Sequence, residues 1–547
     1  MTATPLVELR PRSASSPAAR READRGRDRA RVAGRSRRVD PAPDDRRDDL
    51  VWRSGRLELH LRRAADGPVV LARLVAGCVE TVVAEPVPLV DALVAEGVGT
   101  GVGSGSGVGS GVAAAVGSGV AAAVGADLRY VAHSVSADGA TLVLVQATAA
   151  GIRVTATLHG RDGALRSTVV VTNGTGAPVR VAAVTCWAAP LGVRLDKGDV
   201  PDPAADWELL EGRVDAAGVE RWSARALRSG ELLPCPGAGG AGGAGAGRGS
   251  VDRALAAALG TGTGPALPVA ALLSERQEVA WLWEVAADAS WRWQVLEGTA
   301  DCRLALSRPA PAEPTTAAPL APGASTAPAS ALLAVGADLE DAAAALTRAR
   351  RAEHRASGAI PSDRVHDATG IATAALSTLP EETRIPVRLR SDMTTAETTA
   401  ALVAGLAGVL HLDADDADDA DDALRPDQRA LAADALRVAD DLRDGLTRSV
   451  PLWPRGVPAG DDHVTCAARD TGDAVVVAID LGDADAALLS FPSLLGRRVD
   501  VVLVFPRVPE GGAAGGDAEW DAVRGILTVR SAPGGPSARV LELRRRA

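Results

Sequence analysis

A chain of 547 residues has room for about two to four domains, and its net charge of −11 argues against a nucleic-acid partner, because no general basic surface is implied. With 2 Phe, 1 Tyr and 2 Met against 10 Trp, its cores must be built from Val, Leu, Ala and tryptophan, and the small Val and Ala side chains bury less area each than Phe or Met. The 5 cysteines (Cys78, Cys186, Cys235, Cys302 and Cys466) are scattered without CxxC spacing, which argues against a zinc finger and reads as reduced thiols in a cytoplasmic protein.

Residues 1–47, Arg-rich between Arg10 and Arg47, lack apolar periodicity and the continuous apolar run of a signal peptide, and are expected to form a disordered tail. From about Val51 the pattern is β: Leu57, Leu59 and Leu61 alternate with Arg56, Glu58 and His60, as a half-buried strand requires. The uncharged run Gly97–Ala126 is mostly Gly, Ser, Ala and Val, too weakly apolar for a membrane span, and is expected to be a flexible loop. Strand-like runs follow at Leu128–Val135, Leu142–Ala147, Ile152–His159, Leu165–Thr172 and Val179–Cys186. Asn173-Gly174, between the last two, suggests a tight connection with positive φ. Many short strands so spaced indicate a β-sandwich.

A second β group spans Val279–Val285 and Ser290–Leu296, where Trp281 and Trp283, then Trp291 and Trp293, alternate along each strand. Four indoles so placed fit two roles, a sandwich core in a chain poor in Phe or a stacking platform for a sugar, and they are the carbohydrate-contact candidates. Helices are expected over Leu339–Arg355, with a basic C-terminal end, and after the capping box Thr394-x-x-Glu397. A third is expected where Leu431, Ala435, Val438, Leu442 and Leu446 recur at helical spacing before Pro451. After about Thr465 strands return at Ala474–Asp480, Arg498–Val504, Gly525–Arg530 and Ala538–Leu543.

Local motifs supply no chemistry. Gly237-Ala-Gly-Gly-Ala-Gly242 has GxGxxG form but follows Pro234 and Pro236 in a low-complexity run rather than a strand. The acidic run Asp413–Asp422 lacks the central Gly and closing Glu of a calcium loop, and is expected to be a solvated insertion. No nucleophile elbow, phosphate-binding loop or zinc-protease motif is present, and no cofactor or metal is expected.

Several strings in order carry a resemblance. Trp52-Arg-Ser-Gly-Arg-Leu-Glu-Leu59, Pro88-Leu-Val-Asp91, Asp127-Leu-Arg-Tyr130 and Asp206-Trp-Glu-Leu-Leu-Glu-Gly-Arg213 with Arg221-Trp222 lie in the first part. Leu267-Pro-Val269, Trp291-Arg-Trp293, Leu320-Ala-Pro-Gly323, Ala345-Leu-Thr-Arg-Ala-Arg-Arg351, Asp427-Gln-Arg-Ala-Leu431, Val450-Pro-Leu-Trp-Pro-Arg-Gly-Val-Pro458 and Ser537-Ala-Arg-Val-Leu541 continue it. Together they resemble the actinobacterial branch of the glycoside hydrolase family 36 α-galactosidases.

The resemblance implies an N-terminal β-supersandwich, a catalytic (β/α)₈ barrel and a C-terminal β domain, with α-galactoside sugars as partners and a possible homo-oligomer. A barrel takes at least about 200 residues, and the segment from Ala356 to Val464 offers about half of that. The family's nucleophile follows a Lys-Trp pair, yet the single lysine, Lys197, precedes Gly198; its acid/base follows Cys-x-Ser-Gly-Gly, which no cysteine here begins. No catalytic residue is therefore carried over; Asp363, Asp367 and Asp392 lie in the shortened middle without a pairing signal. The expected fold is mainly β and multidomain: a disordered tail over 1–47, a supersandwich over 48–352, a helical barrel remnant over 353–464 and a C-terminal antiparallel β-sandwich over 465–547.

Overall fold

The computed structural model of the chain describes residues 49–64, 66–96, 115–116, 119–120, 122–197, 202–215, 220–229, 254–260, 265–287, 290–298, 301–309, 318–357, 371–412, 424–457, 464–507, 518–531 and 537–546. The Arg-rich tail, the Gly-rich run around Gly242 and the acidic run Asp413–Asp422 lie outside them.

Strand alternation sets the first layer. Leu57, Leu59 and Leu61 are buried while Glu58 and His60 are half-buried, and their strand Leu57–Arg63 pairs with Asp49–Ser54 and Val69–Ala76 in a four-stranded antiparallel sheet. Behind it lies a nine-stranded sheet in the order Glu220–Ala226, Glu208–Val214, Ala266–Ser274, Val279–Val285, Ala329–Gly336, Ala164–Asn173, Ile152–Arg161, Thr141–Ala147 and Arg129–Val135. A six-stranded sheet contains Trp291–Glu297, Cys302–Pro309 and Val179–Pro190. One core unites these sheets, with Leu144, Val154, Val169, Leu272 and Leu333 of the nine-stranded sheet and Trp187, Val295, Leu304 and Leu306 of the six-stranded one all buried in it.

The nine-stranded sheet is covered on its other face too, which is why Val279–Val285 reads as a continuous apolar run. Its Ala280 and Leu282 join Leu332 and Ala334 beneath Ala342, Ala345, Leu346 and Ala349 of the helix Leu339–Ser357. Apolar residues of such a strand face two cores rather than one core and water.

Two sequence expectations are corrected here. Asn173-Gly174 does not make a positive-φ hairpin, because the strands it joins belong to different sheets. Instead the buried Asn173 carboxamide donates to the carbonyls of Ala177 and Leu320 and accepts from the Thr175 N–H at 2.9 Å, shaping the crossing. Gly174 is needed because a Cβ there would collide with the Gly151 carbonyl oxygen. The tight positive-φ hairpin is Asp162-Gly163 (φ 51° and 91°), closing Ile152–Arg161 onto Ala164–Asn173. The run Gly97–Ala126 is not wholly loop: Ala115–Val116 pairs with Gly119–Val120, and Ala122–Ala123 adds to the six-stranded sheet beside Leu93 and Val94.

In the middle, the strands Arg384–Val387 and Val409–Leu412 pair in parallel, joined by the helix Thr395–Leu406. The Thr394 hydroxyl oxygen accepts from the Glu397 N–H, and the Glu397 carboxylate accepts from the Thr394 N–H, as the capping box predicts. This is one β–α–β unit; among the described residues no barrel closes. Ile385, Val387, Leu402 and Leu406 pack with Ala435 and Val438 of the helix Pro426–Leu446 and with Val476, Ala478, Phe505 and Val540. Those last four lie on one face of a five-stranded sheet, whose opposite residues Val475, Val477, Ile479, Leu541 and Leu543 face a three-stranded sheet. The period of two thus gives the sheet two cores.

Buried arginines tie these layers together. Arg350 pairs with Glu284 at 2.7 Å, and Arg351 pairs with Glu381 at 2.6 Å while donating to the Ser449 carbonyl at 2.9 Å. Trp453 donates its indole N–H to the Ala372 carbonyl at 2.7 Å.

Candidate functional site

In a barrel the chemistry sits where parallel strands end, and here that edge is the loop following Val387. Arg425, just before the helix Pro426–Leu446, donates to the carbonyls of Ser391 and Met393 at 2.8 Å each, and Gln428 donates to Arg390 and Met393. The loop is therefore held from below by two side chains, and it presents Asp392 to solvent.

Among the described residues, three carboxylates at this edge are shifted toward the ionised form; the acidic run Asp413–Asp422, which follows Leu412 in the chain, lies outside them. Asp392 pairs with Arg390 at 2.9 Å, which lowers its pKa. Asp427 is lowered by Arg425, with a hydrogen bond from the Thr395 hydroxyl adding to the effect. Glu397 is lowered by its capping hydrogen bonds from Thr394. A retaining glycosidase needs a carboxyl that keeps its proton, as general acid, about 5–5.5 Å from a carboxylate nucleophile. Raised pKa values occur elsewhere: burial lifts Asp301 to about 7 and Asp91 to about 6, both in the N-terminal sandwich. Asp91 is fixed by N–H donors from Ala92 and Gly125, a role in holding its strand end. Asp363 and Asp367 lie outside the described residues. The single lysine, Lys197, pairs with Glu278 at 2.7 Å.

The four tryptophan candidates are brought together, but not on a surface. Trp281, Trp283, Trp291 and Trp293 are at most 1% exposed. Trp283 and Trp293, from the two facing sheets, meet edge to face with centroids 5.6 Å apart. The sugar-platform reading is corrected on this point: an indole with no accessible face cannot stack on a pyranose, and these four fill the sandwich core.

Sequence reasoning missed a cleft at the opposite end of the parallel pair, where the strands begin. It is small, about 30 Å³, and is lined by Ala372, Ala375, Thr383, Pro451, Ala467 and Arg469. Arg469 is 6% exposed, and no periodicity could have marked it, since every second residue of a half-buried strand is polar. Among the described residues no three His, Cys, Asp or Glu side chains gather to hold a metal ion, and no helix is long and apolar enough to cross a membrane.

No family model and no curated protein matches this sequence. Solved structures do match. The glycoside hydrolase family 36 α-galactosidase AgaA from Geobacillus stearothermophilus superposes with a TM-score of 0.59 at 9% identity, covering 91% of this chain and 100% of that one. AgaB from the same organism gives 0.57 at 9% identity over 91% and 99%, and the α-galactosidase from Lactobacillus brevis gives 0.54 at 9% over 91% and 98%. The fold is α-galactosidase-like. At such identity the likeness concerns architecture alone, and that architecture is mainly β and multidomain, as the sequence pattern indicated.

Proposed function

We propose that this is an α-galactosidase-like protein of α-galactoside catabolism that no longer hydrolyses its sugars. The observation that carries the reading is the set of carboxylates where the parallel strands end: Asp392, Glu397 and Asp427 are all shifted toward the ionised form. Among the described residues, this edge offers no carboxyl with a raised pKa to serve as general acid for a leaving glycosidic oxygen. On this reading the chain divides into a supersandwich over 48–352, a barrel remnant over 353–464 and a C-terminal sandwich over 465–547, acting in the cytoplasm. AgaA variants have been solved with raffinose and stachyose, which makes α-galactosides the sugars to test here. The test is covalent trapping. An activated 2-fluoro-galactosyl donor, which stalls retaining enzymes as a glycosyl ester, should leave the intact mass unchanged; a stoichiometric adduct would overturn the proposal.

A second reading, a subunit-interaction or non-catalytic carbohydrate-binding protein, draws on one feature. The strand Arg129–Val135 ends the nine-stranded sheet and exposes Val131 and Val135 at 50% and 47%. An uncovered edge of this kind favours pairing with another chain. Sedimentation equilibrium of the wild type and of Val131→Lys separates the cases: assembly through this edge requires the variant to dissociate.

A further inference from the structure

The nine-stranded sheet ends in two edge strands whose residues differ. The strand Glu220–Ala226 carries Glu220, Arg221 and Arg225, and its buried Glu220 carboxylate accepts from the Ser377 hydroxyl at 2.8 Å. Charge and a neighbouring loop thus guard that edge, as natural sheets do. The strand Arg129–Val135, at the other end, pairs with Thr141–Ala147 along one side, and among the described residues no strand pairs with its other side. Val131, Ala132, His133, Ser134 and Val135 are all exposed, and none of them is a lysine, arginine, acid or proline. Val131 is the extra residue of a bulge between Tyr130 and Ala132. The bulge shortens the regular edge without adding the charge that would guard it.

The strand is complementary to itself. In a two-fold antiparallel pair, facing residues share a face of the sheet, so the axis passes through one residue. Centred on His133, the pairing sets Val131 against Val135 of the second copy, twice per dimer, and Ala132 against Ser134. Centred on Ala132 or Ser134, it would set Val135 against Arg129 or His133 instead. The first register covers all four exposed valines with one another, the cross-strand pairs that stabilise sheets. It also brings Arg129 of each copy beside the turn that holds Asp138 of the other. The Asp138 carboxylate accepts from the Ser136 hydroxyl and from the Ala140 N–H, which lowers its pKa. Opposite charges therefore meet at both ends of the strand pair. At its centre His133 is fixed by the Tyr130 hydroxyl at 2.6 Å, and Arg63 lies over the Tyr130 ring. We propose, building on the subunit-interaction reading, that the chain pairs with a second copy of itself through Arg129–Val135, centred on His133. One strand pair covers less than the about 1,600 Å² of a standard interface, so the dimer is weak and concentration-dependent.

The experiment is sedimentation equilibrium of the full chain over a range of concentrations, joined to cysteine cross-linking in a Cys78→Ser, Cys235→Ser background. The wild type should show a reversible monomer–dimer equilibrium. Val131→Lys should weaken it at least about tenfold, because each dimer meets the added charge twice. Val131 is half exposed, so this variant should keep the wild-type unfolding midpoint. Under copper–phenanthroline oxidation, a mixture of Val131→Cys and Val135→Cys chains should give more disulfide-linked dimer than either variant alone, since only the mixture places the two thiols opposite each other. A wild type that stays monomeric overturns self-pairing, while pairing of this edge with a different chain survives. A dimer indifferent to Val131→Lys overturns the edge itself, and the subunit-interaction reading with it. Cross-linking by either variant alone that equals the mixture's overturns the register.

Discussion

Replacing Trp283 by Ala removes an indole that is completely buried where the two large sheets meet. A truncation of this size costs about 3–5 kcal/mol in transfer and cavity terms. The edge-to-face contact with Trp293, at 5.6 Å and 70°, adds a coupling of about 0.5–1.5 kcal/mol. One circumstance moderates the loss: neither indole N–H has an acceptor, so each already carries a desolvation penalty of about 1–3 kcal/mol. Trp283→Phe, which keeps a ring and deletes that N–H, should therefore cost markedly less than Trp283→Ala. The assay is urea unfolding followed by far-ultraviolet circular dichroism, on Trp283→Ala, Trp293→Ala and the double variant, with raffinose present and absent. The core account expects each single change to lower the midpoint strongly, a double-variant cycle with positive coupling, and no effect of raffinose. A cost below about 1 kcal/mol for Trp283→Ala, far under the range for a buried aromatic, would refute it. So would a saturable raffinose response that vanishes with the indole.

Burial raises the Asp301 pKa to about 7, with the nearby Arg303 opposing the rise and Glu85 adding to it. The folded state then keeps a proton that the unfolded chain has released. This contribution to stability is full below about pH 4 and falls by roughly 1.4 kcal/mol for each pH unit until it is lost as pH passes about 7. Asp301→Asn should flatten the fall in unfolding midpoint between pH 4 and 8, and an unchanged pH profile would contradict the assignment. Arg351→Ala leaves Glu381 half-buried without its cation and takes a donor from the Ser449 carbonyl, a loss of about 3–5 kcal/mol by thermal unfolding. Thr394→Ala removes a cap from an exposed helix start and should cost only about 1 kcal/mol.

Much of the architecture was legible because it rests on short-range patterns. The helix after Thr394 follows from a local capping box, and the strands Ala474–Asp480 and Val279–Val285 have the predicted bounds. What the sequence withheld depends on long-range neighbours. A period of two in the tryptophans suits a platform and a core equally, and only the facing six-stranded sheet decides between them. The parallel strands Arg384–Val387 and Val409–Leu412 have four residues each, one containing Pro386, too short to register as strands. Asp162-Gly163 and Asn173-Gly174 are both Asx-Gly pairs, and sheet membership alone separates their roles. Arg469 reads as a surface arginine until its strand is seen to be covered on both faces.

The central claim is that the edge holding Asp392 cannot carry out glycoside hydrolysis, and the direct measurement is the rate at which the purified full chain releases nitrophenol from an aryl α-galactoside between pH 4 and 8. The account predicts no release above the rate of a mock preparation at any pH, because hydrolysis needs one protonated and one ionised carboxyl at fixed separation, and the carboxylates described at this edge, Asp392, Glu397 and Asp427, are all shifted toward the ionised form. Turnover that is saturable in substrate and disappears in Asp392→Asn, while the variant keeps the wild-type unfolding midpoint, would contradict it.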